Sequence, residues 1–155
     1  MSKSIPGNQK HLTLESRITI EKELDAGTSL RQIAAQLDKD PSTISKEIRK
    51  HRTEHPHNTF NEPRNKCAQA ASCKKKHICE LYAPVCKRQC HHCPQCNRVC
   101  PDFQPRSYHC EKLDKAPFVC NGCAKKCGCR LDKAFYKAVT ANRQYRTVLV
   151  EGLIQ

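Results

Sequence analysis

The sequence predicts a mainly α-helical protein: a small three-helix helix-turn-helix domain, an irregular zinc-stabilised cysteine-rich module, and a C-terminal helix. Three observations carry this reading. Residues 29–52, SLRQIAAQLDKDPSTISKEIRKHR, have the pattern of two short helices joined by a tight polar turn. All 13 cysteines of the 155 residues fall between Cys67 and Cys129. Residues 131–150 contain neither Gly nor Pro, as a single helix requires.

In chain order, residues 1–12 read as a flexible polar arm, and they lack the apolar stretch of a signal peptide. Residues 13–52 form the helix-turn-helix domain. Thr13 caps a first helix running to about Ala26, with Leu14, Ile18 and Leu24 as its apolar contacts and Gly27 as its stop. Ser29 and Gln32 make a capping-box pair for the second helix, whose apolar face is Leu30, Ile33, Ala34 and Leu37. Asp38-Lys39-Asp40 breaks that pattern. Asp40 followed by Pro41 starts the third helix, a carboxylate cap before a proline whose missing N–H costs nothing there. Three helices are the minimum for a small unit with its own core.

The third helix carries the candidate DNA-binding residues. Ile44 and Ile48 point one way, four residues apart. Ser42, Lys46, Arg49 and Thr53 point the other way, flanked by Thr43, Ser45, Lys50 and Arg52. The outward face has hydroxyls and cations and no carboxylate; Glu47 sits nearer the buried edge. Arg and Lys suit phosphates and guanine edges, and Ser and Thr suit short hydrogen bonds in a major groove. The predicted contacts are Ser42, Thr43, Ser45, Lys46, Arg49, Lys50 and Arg52.

The charge total points the same way. Lys and Arg number 28 against 15 Asp and Glu, a formal +13, which favours a polyanionic partner, nucleic acid (double-stranded DNA) first and an anionic membrane surface second. Apolar runs of a few residues fall far short of the ~20 that span a bilayer. A cytoplasmic, nucleoid-associated protein is expected.

Residues 53–66 read as a linker, with prolines at Pro56 and Pro63; His51, His55 and His57 are read as incidental surface histidines. Residues 67–129 form the cysteine-rich module. An odd cysteine count with nothing directing export favours reduced thiolates that bind metal over disulfides. The candidate ligands are Cys67, Cys73, Cys79, Cys86, Cys90, Cys93, Cys96, Cys100, Cys110, Cys120, Cys123, Cys127 and Cys129. Cys90-His-His-Cys93-Pro-Gln-Cys96 and Cys120-Asn-Gly-Cys123 have the spacing at which two thiolates reach one zinc from a tight turn, with Asn121-Gly122 as turn chemistry. His77, His91, His92 or His109 can substitute for a thiolate. Two or three structural zinc ions are expected, with the pairing left open. A four-thiolate zinc site carries a net charge of about −2, so the module is a weaker DNA clamp than its lysines suggest.

Residues 130–155 are the C-terminal helix. Leu131, Phe135, Ala138, Asn142, Tyr145 and Leu149 follow a heptad seam, suited either to packing on the cysteine-rich module or to self-association.

A family resemblance joins these pieces. Residues 12–48, LTLESRITIEKELDAGTSLRQIAAQLDKDPSTISKEI, resemble the N-terminal helix-turn-helix of IS-thirty-type bacterial transposases. CPDF (100–103), PFVCNGC (117–123), CRLDKAFYKA (129–138) and the helix after them resemble the segment that follows in that family. The resemblance implies recognition of terminal inverted repeats, with strand transfer performed by a later RNase-H-like domain. After Leu149 this chain reads VEGLIQ where the family has a Ser-Arg-containing stretch, so the expectation is a truncated or frame-shifted, non-catalytic portion. The alternative is a free-standing helix-turn-helix transcriptional regulator with a structural zinc module. A redox or zinc enzyme fits less well, because cysteine-dominated spacing favours closed sites over the open position that catalysis needs.

Overall fold

The computed structural model describes residues 11–60, 62–79 and 86–154. Its elements are α1 (Leu14–Asp25), α2 (Leu30–Leu37), α3 (Pro41–His51), β1 (Thr53–His55), the four-residue α4 (Cys96–Val99), β2 (Lys133–Phe135) and α5 (Ala138–Ile154). Two compact units result. The larger joins the chain up to His57 with the chain from His109 onward; the smaller is Asn58–Tyr108.

The helix boundaries of the larger unit follow from local chemistry. Thr13 Oγ1 accepts the Ser16 N–H at 3.1 Å and caps α1. At the other end Gly27 takes φ +79°, and the Thr28 N–H reaches back to the Glu23 carbonyl at 2.9 Å. The Ser29–Gln32 capping box is complete. Asp38 closes α2 in the left-handed region at φ 53°, which a short polar side chain tolerates. Asp40 then accepts the Ser42 N–H at 2.8 Å, with Pro41 in the first turn of α3.

The core is where the sequence reading needs correction. Ile20, Leu24, Ile33, Ala34, Ile44 and Ile48 form its centre, with Leu30 and Leu37 packed against it. Leu14 and Ile18 face solvent; the buried stripe of α1 is Arg17, Ile20 and Leu24. A charged residue at the start of that stripe hid it from an apolar count. Nor does the unit close on residues 13–52 alone. Leu12, Val119, Tyr136 and Ala141 complete the cluster. The expected arm at 1–12 lies mostly outside the described residues, but its last residue is core.

The expected single helix at 131–150 is two elements. Lys133–Phe135 is a strand, pairing antiparallel with β1 in the register Thr53↔Phe135, Glu54↔Ala134, His55↔Lys133. The expected linker at 53–66 therefore begins with a strand, and Thr53 belongs to it rather than to the outward face of α3. Ala134 and Tyr136 are buried while Lys133 and Phe135 are less so, the period-two burial of a strand. α5 starts at Ala138, whose N–H is taken by Glu21 Oε1 at 2.7 Å. It packs on α1 and α3, and its Ala141 shares the core cluster with Val119 of the cysteine-rich stretch. Of the six seam residues, Leu149 is exposed and the others are buried or half-buried.

Residues 109–129 also belong to the larger unit, so the cysteine-rich stretch is divided between the two units instead of forming one module over 67–129. Asn121 explains the attachment. Its Nδ2 donates to Asp25 Oδ1 and to the Tyr136 carbonyl, both at 3.0 Å, and its Oδ1 accepts the Tyr136 N–H at 2.9 Å. Gly122 lets this turn lie on the end of α1: a Cβ there would sit 2.6 Å from the Leu24 carbonyl oxygen. The Asn-Gly pair serves docking onto α1.

One buried ionic knot holds these pieces together. Arg17 Nε donates to Glu47 Oε1 at 2.6 Å, and Tyr136 Oη donates to the same oxygen at 3.1 Å. Arg17 Nη1 donates to the Leu12 carbonyl at 2.6 Å and to Asn142 Oδ1 at 3.1 Å, and its guanidinium lies 4.5 Å from the centre of the Tyr145 ring. Burial first, and then the Glu47 charge, push the Tyr136 hydroxyl well above its ordinary value, so it stays a donor.

Removing one partner strands the other. Glu47→Ala is expected to cost about 3–5 kcal/mol by leaving the Arg17 charge buried and unpaired. The double change Arg17→Met with Glu47→Leu should cost far less than the sum of the two single changes. Chemical denaturation followed by helical circular dichroism measures both. Gly122→Ala should lower the midpoint as well, through its clash with backbone.

Candidate functional site

The exposed surface of α3 is set by what the rest of the helix buries. Ile44, Glu47, Ile48 and His51 face inward. At ~100° per residue this leaves the opposite side free. Thr43, Lys46, Arg49 and Lys50 are exposed there, and Ser45 is half-buried beside them. A groove of about 290 Å³ runs along the flank of α3, lined by His11, Thr43, Lys46, Lys50 and Tyr145 among others.

Two of the predicted contacts have intramolecular roles. Ser42 Oγ donates to Asp40 Oδ1 at 2.6 Å, and with the Ser42 N–H it holds the Asp40 carboxyl below its usual range. Its hydroxyl serves the cap first. Arg52 Nη1 donates to the carbonyls of Leu113 and Phe118, both at 2.9 Å, fastening the end of α3 to the segment after His109. Arg49 lies between these roles. It is exposed, yet its guanidinium sits 5.0 Å from the centre of the Phe118 ring, which orients it without taking its hydrogen-bond donors. The structure thus presents Thr43, Ser45, Lys46, Arg49 and Lys50 together, and withdraws Arg52. Reading α3 alone missed Phe118 and Leu113, whose positions depend on the fold of a distant segment.

The comparisons bear on this surface. Residues 8–51 match the family described as a helix-turn-helix domain. This domain covers α1, α2 and α3. Over 41 residues the chain is 49% identical to an uncharacterized 14.4 kDa protein in the laf 3' region of Lactobacillus acidophilus, a match that takes in 26% of this chain and 33% of that protein. The chain thus spans about a third of the curated relative it matches. No solved structure matches the chain. The helix-turn-helix domain supports DNA binding, and no helix among the described residues is long and apolar enough to cross a membrane.

The histidines near this surface are engaged within the larger unit. His51 Nδ1 lies 2.9 Å from Gln144 Oε1, the His55 ring meets Phe135 edge-on at 5.1 Å, and His57 Nδ1 lies 2.7 Å from Asp132 Oδ1.

The candidate zinc ligands fall in both units. Cys110, Cys120, Cys123, Cys127 and Cys129 lie in the larger; Cys67, Cys73, Cys79, Cys86, Cys90, Cys93, Cys96 and Cys100 lie in the smaller. Among the described residues no three Cys, His, Asp or Glu side chains converge closely enough to hold an ion as they stand. The thiols differ in environment. Burial, and then the neighbouring thiols of Cys90, Cys93 and Cys100, push the Cys96 thiol up to about 12. The backbone amides of Gln104 and Gln69 hold the Cys67 thiol below its ordinary value.

Arg52→Ala separates fold from contact. It is expected to cost about 1–3 kcal/mol of stability, because two carbonyls lose a charged donor. The folded variant should keep the parent's salt dependence of DNA binding. Thermal melting and binding titrations at several salt concentrations measure the two effects.

Proposed function

We propose that α3 enters the DNA major groove and that this chain is the DNA-binding portion of an IS-thirty-type transposase, reading the terminal inverted repeats of its element. The observation that carries the reading is the sorting of α3 into an inward face of Ile44, Glu47, Ile48 and His51 and an outward face of Thr43, Lys46, Arg49 and Lys50. An outward face with cations and hydroxyls and no carboxylate matches the acceptor-rich, phosphate-lined groove. The helix-turn-helix match supports the docking mode, in which the second helix of the pair lies in the groove. The resemblance of PFVCNGC and CRLDKAFYKA to the family's following segment supports the transposase assignment. Asn121, Gly122 and Tyr136 in those stretches hold the helix-turn-helix together, a physical reason for them to accompany it.

In this reading Arg49 reads a base edge. Phe118 restrains its guanidinium, so little side-chain entropy is lost when it forms a two-pronged bond to guanine. Lys46 and Lys50 neutralise phosphates. The chain binds DNA and leaves cleavage to other machinery.

The test is a binding selection from random DNA with the full chain, followed by titration against the ends of an IS-thirty-type element and a scrambled control. Preferential binding of the ends supports the assignment; equal binding of both at moderate salt overturns it. Arg49→Ala should lose about 1–3 kcal/mol on the preferred site and relax discrimination at one base pair. Lys46→Ala should weaken all sequences alike, with the log–log salt slope shallower by ~0.9 for one lost phosphate contact. Metal-dependent cleavage of that DNA by the purified chain would refute the non-catalytic reading.

A further inference from the structure

The smaller unit has little apolar material to fold around. Among its described residues Ala70, Cys90 and Cys96 are the buried apolar ones, and two of these three are cysteines. A segment of this size needs another source of folding energy.

A small, partly open cavity of about 20 Å³ lies within it, room for one atom-sized occupant. Five thiols line this cavity, from Cys67, Cys73, Cys90, Cys96 and Cys100, together with His91. His91 Nδ1 is buried and has no hydrogen-bond partner. A buried ring nitrogen left unpaired is costly, and a cation would engage its lone pair. The frame around the cavity is held by side-chain amides. Asn65 Nδ2 donates to the carbonyls of Cys90 and Cys93 at 3.0 and 3.3 Å, and its Oδ1 accepts the Cys67 N–H at 2.9 Å. Asn97 bridges the Lys66 N–H and the Arg64 carbonyl at 2.8 and 2.9 Å. Cys93 is absent from the cavity wall, although its spacing from Cys90 makes the pair look like one chelating unit.

We propose that this cavity is a structural site for one thiophilic divalent cation of the zinc type, held by His91 Nδ1 and by thiolates drawn from the five that line it. Ligation pulls the donors the last distance inward, each ligating thiol gives its proton to solvent, and the bonds formed supply the folding energy that the apolar core lacks.

The experiment uses the full reduced chain, stripped of metal, with zinc or cobalt(II) added back. Zinc should slow maleimide alkylation of Cys67, Cys90 and Cys96 at least tenfold, and a chelator should reverse the effect. Cobalt should give the visible absorption of a tetrahedral sulfur–nitrogen site. His91→Ala should shift that absorption and weaken cobalt binding at least tenfold. Alkylation of the cavity thiols at the same rate with and without zinc overturns the proposal. So does a His91→Ala chain whose cobalt spectrum and affinity match the parent's. The alkylation measurement uses the unmodified sequence, so it stands even where the variant folds poorly. No DNA is present in either measurement, so the outcome is separable from whether α3 reads DNA.

Discussion

The placement of α3 depends on a single buried carboxylate. Glu47 sits on the inward side of that helix and is met by a guanidinium from α1 and a phenol that follows β2, while the His51 ring lies 3.7 Å from its other oxygen. An ion pair in so dry a place contributes little net stability compared with an apolar pair of the same shape. What it contributes is geometry. Hydrogen bonds to a charged acceptor are directional, so only one rotation of α3 about its axis satisfies all three partners. That rotation decides which residues look outward. Arg17 extends the constraint, since its Nη1 ties the chain before α1 and α5 into the same knot.

Local chemistry made much of this legible in the sequence. The Ser29–Gln32 box, the Asp40 cap, Pro41 and the apolar face of α2 all act within four residues, and the structure has each of them. Reading failed where the decisive partner is distant. Arg17 looks like a surface residue until Glu47 is known to lie beneath it, and Leu14 and Ile18 then look like the face they are not. Lys133–Phe135 looks helical because no Gly or Pro interrupts it; pairing with β1 and the Asn121 bond to the Tyr136 N–H override that preference. Arg52 matches its neighbours in charge, and only the carbonyls of Leu113 and Phe118 assign it elsewhere.

The cysteines show the same limit. Their spacing suggests one continuous metal-stapled module. The division of the chain places Cys120 and Cys123 beside the helix-turn-helix, where Asn121 and Gly122 between them are occupied in binding α1. A Cys-x-x-Cys turn can therefore carry a packing function in the two residues it encloses, whatever its thiols do. In the smaller unit five of the cysteines instead border a cavity, and hydrogen bonds from Asn65 and Asn97 set the loops that bring them there.

The distribution of the core along the chain has a consequence for synthesis. Arg17 and Asn142 hydrogen-bond across a separation of 125 residues, and Val119, Tyr136 and Ala141 close a cluster begun at Leu12. A ribosome adding roughly 5–20 residues per second releases α3 several seconds before those last pieces. During that interval Ile20, Ile33 and Ile48 lack part of their cover, and Glu47 lacks Tyr136. The nascent helix-turn-helix therefore cannot take its final form as it emerges, and the outward face of α3 is fixed only after Asn142 has been made.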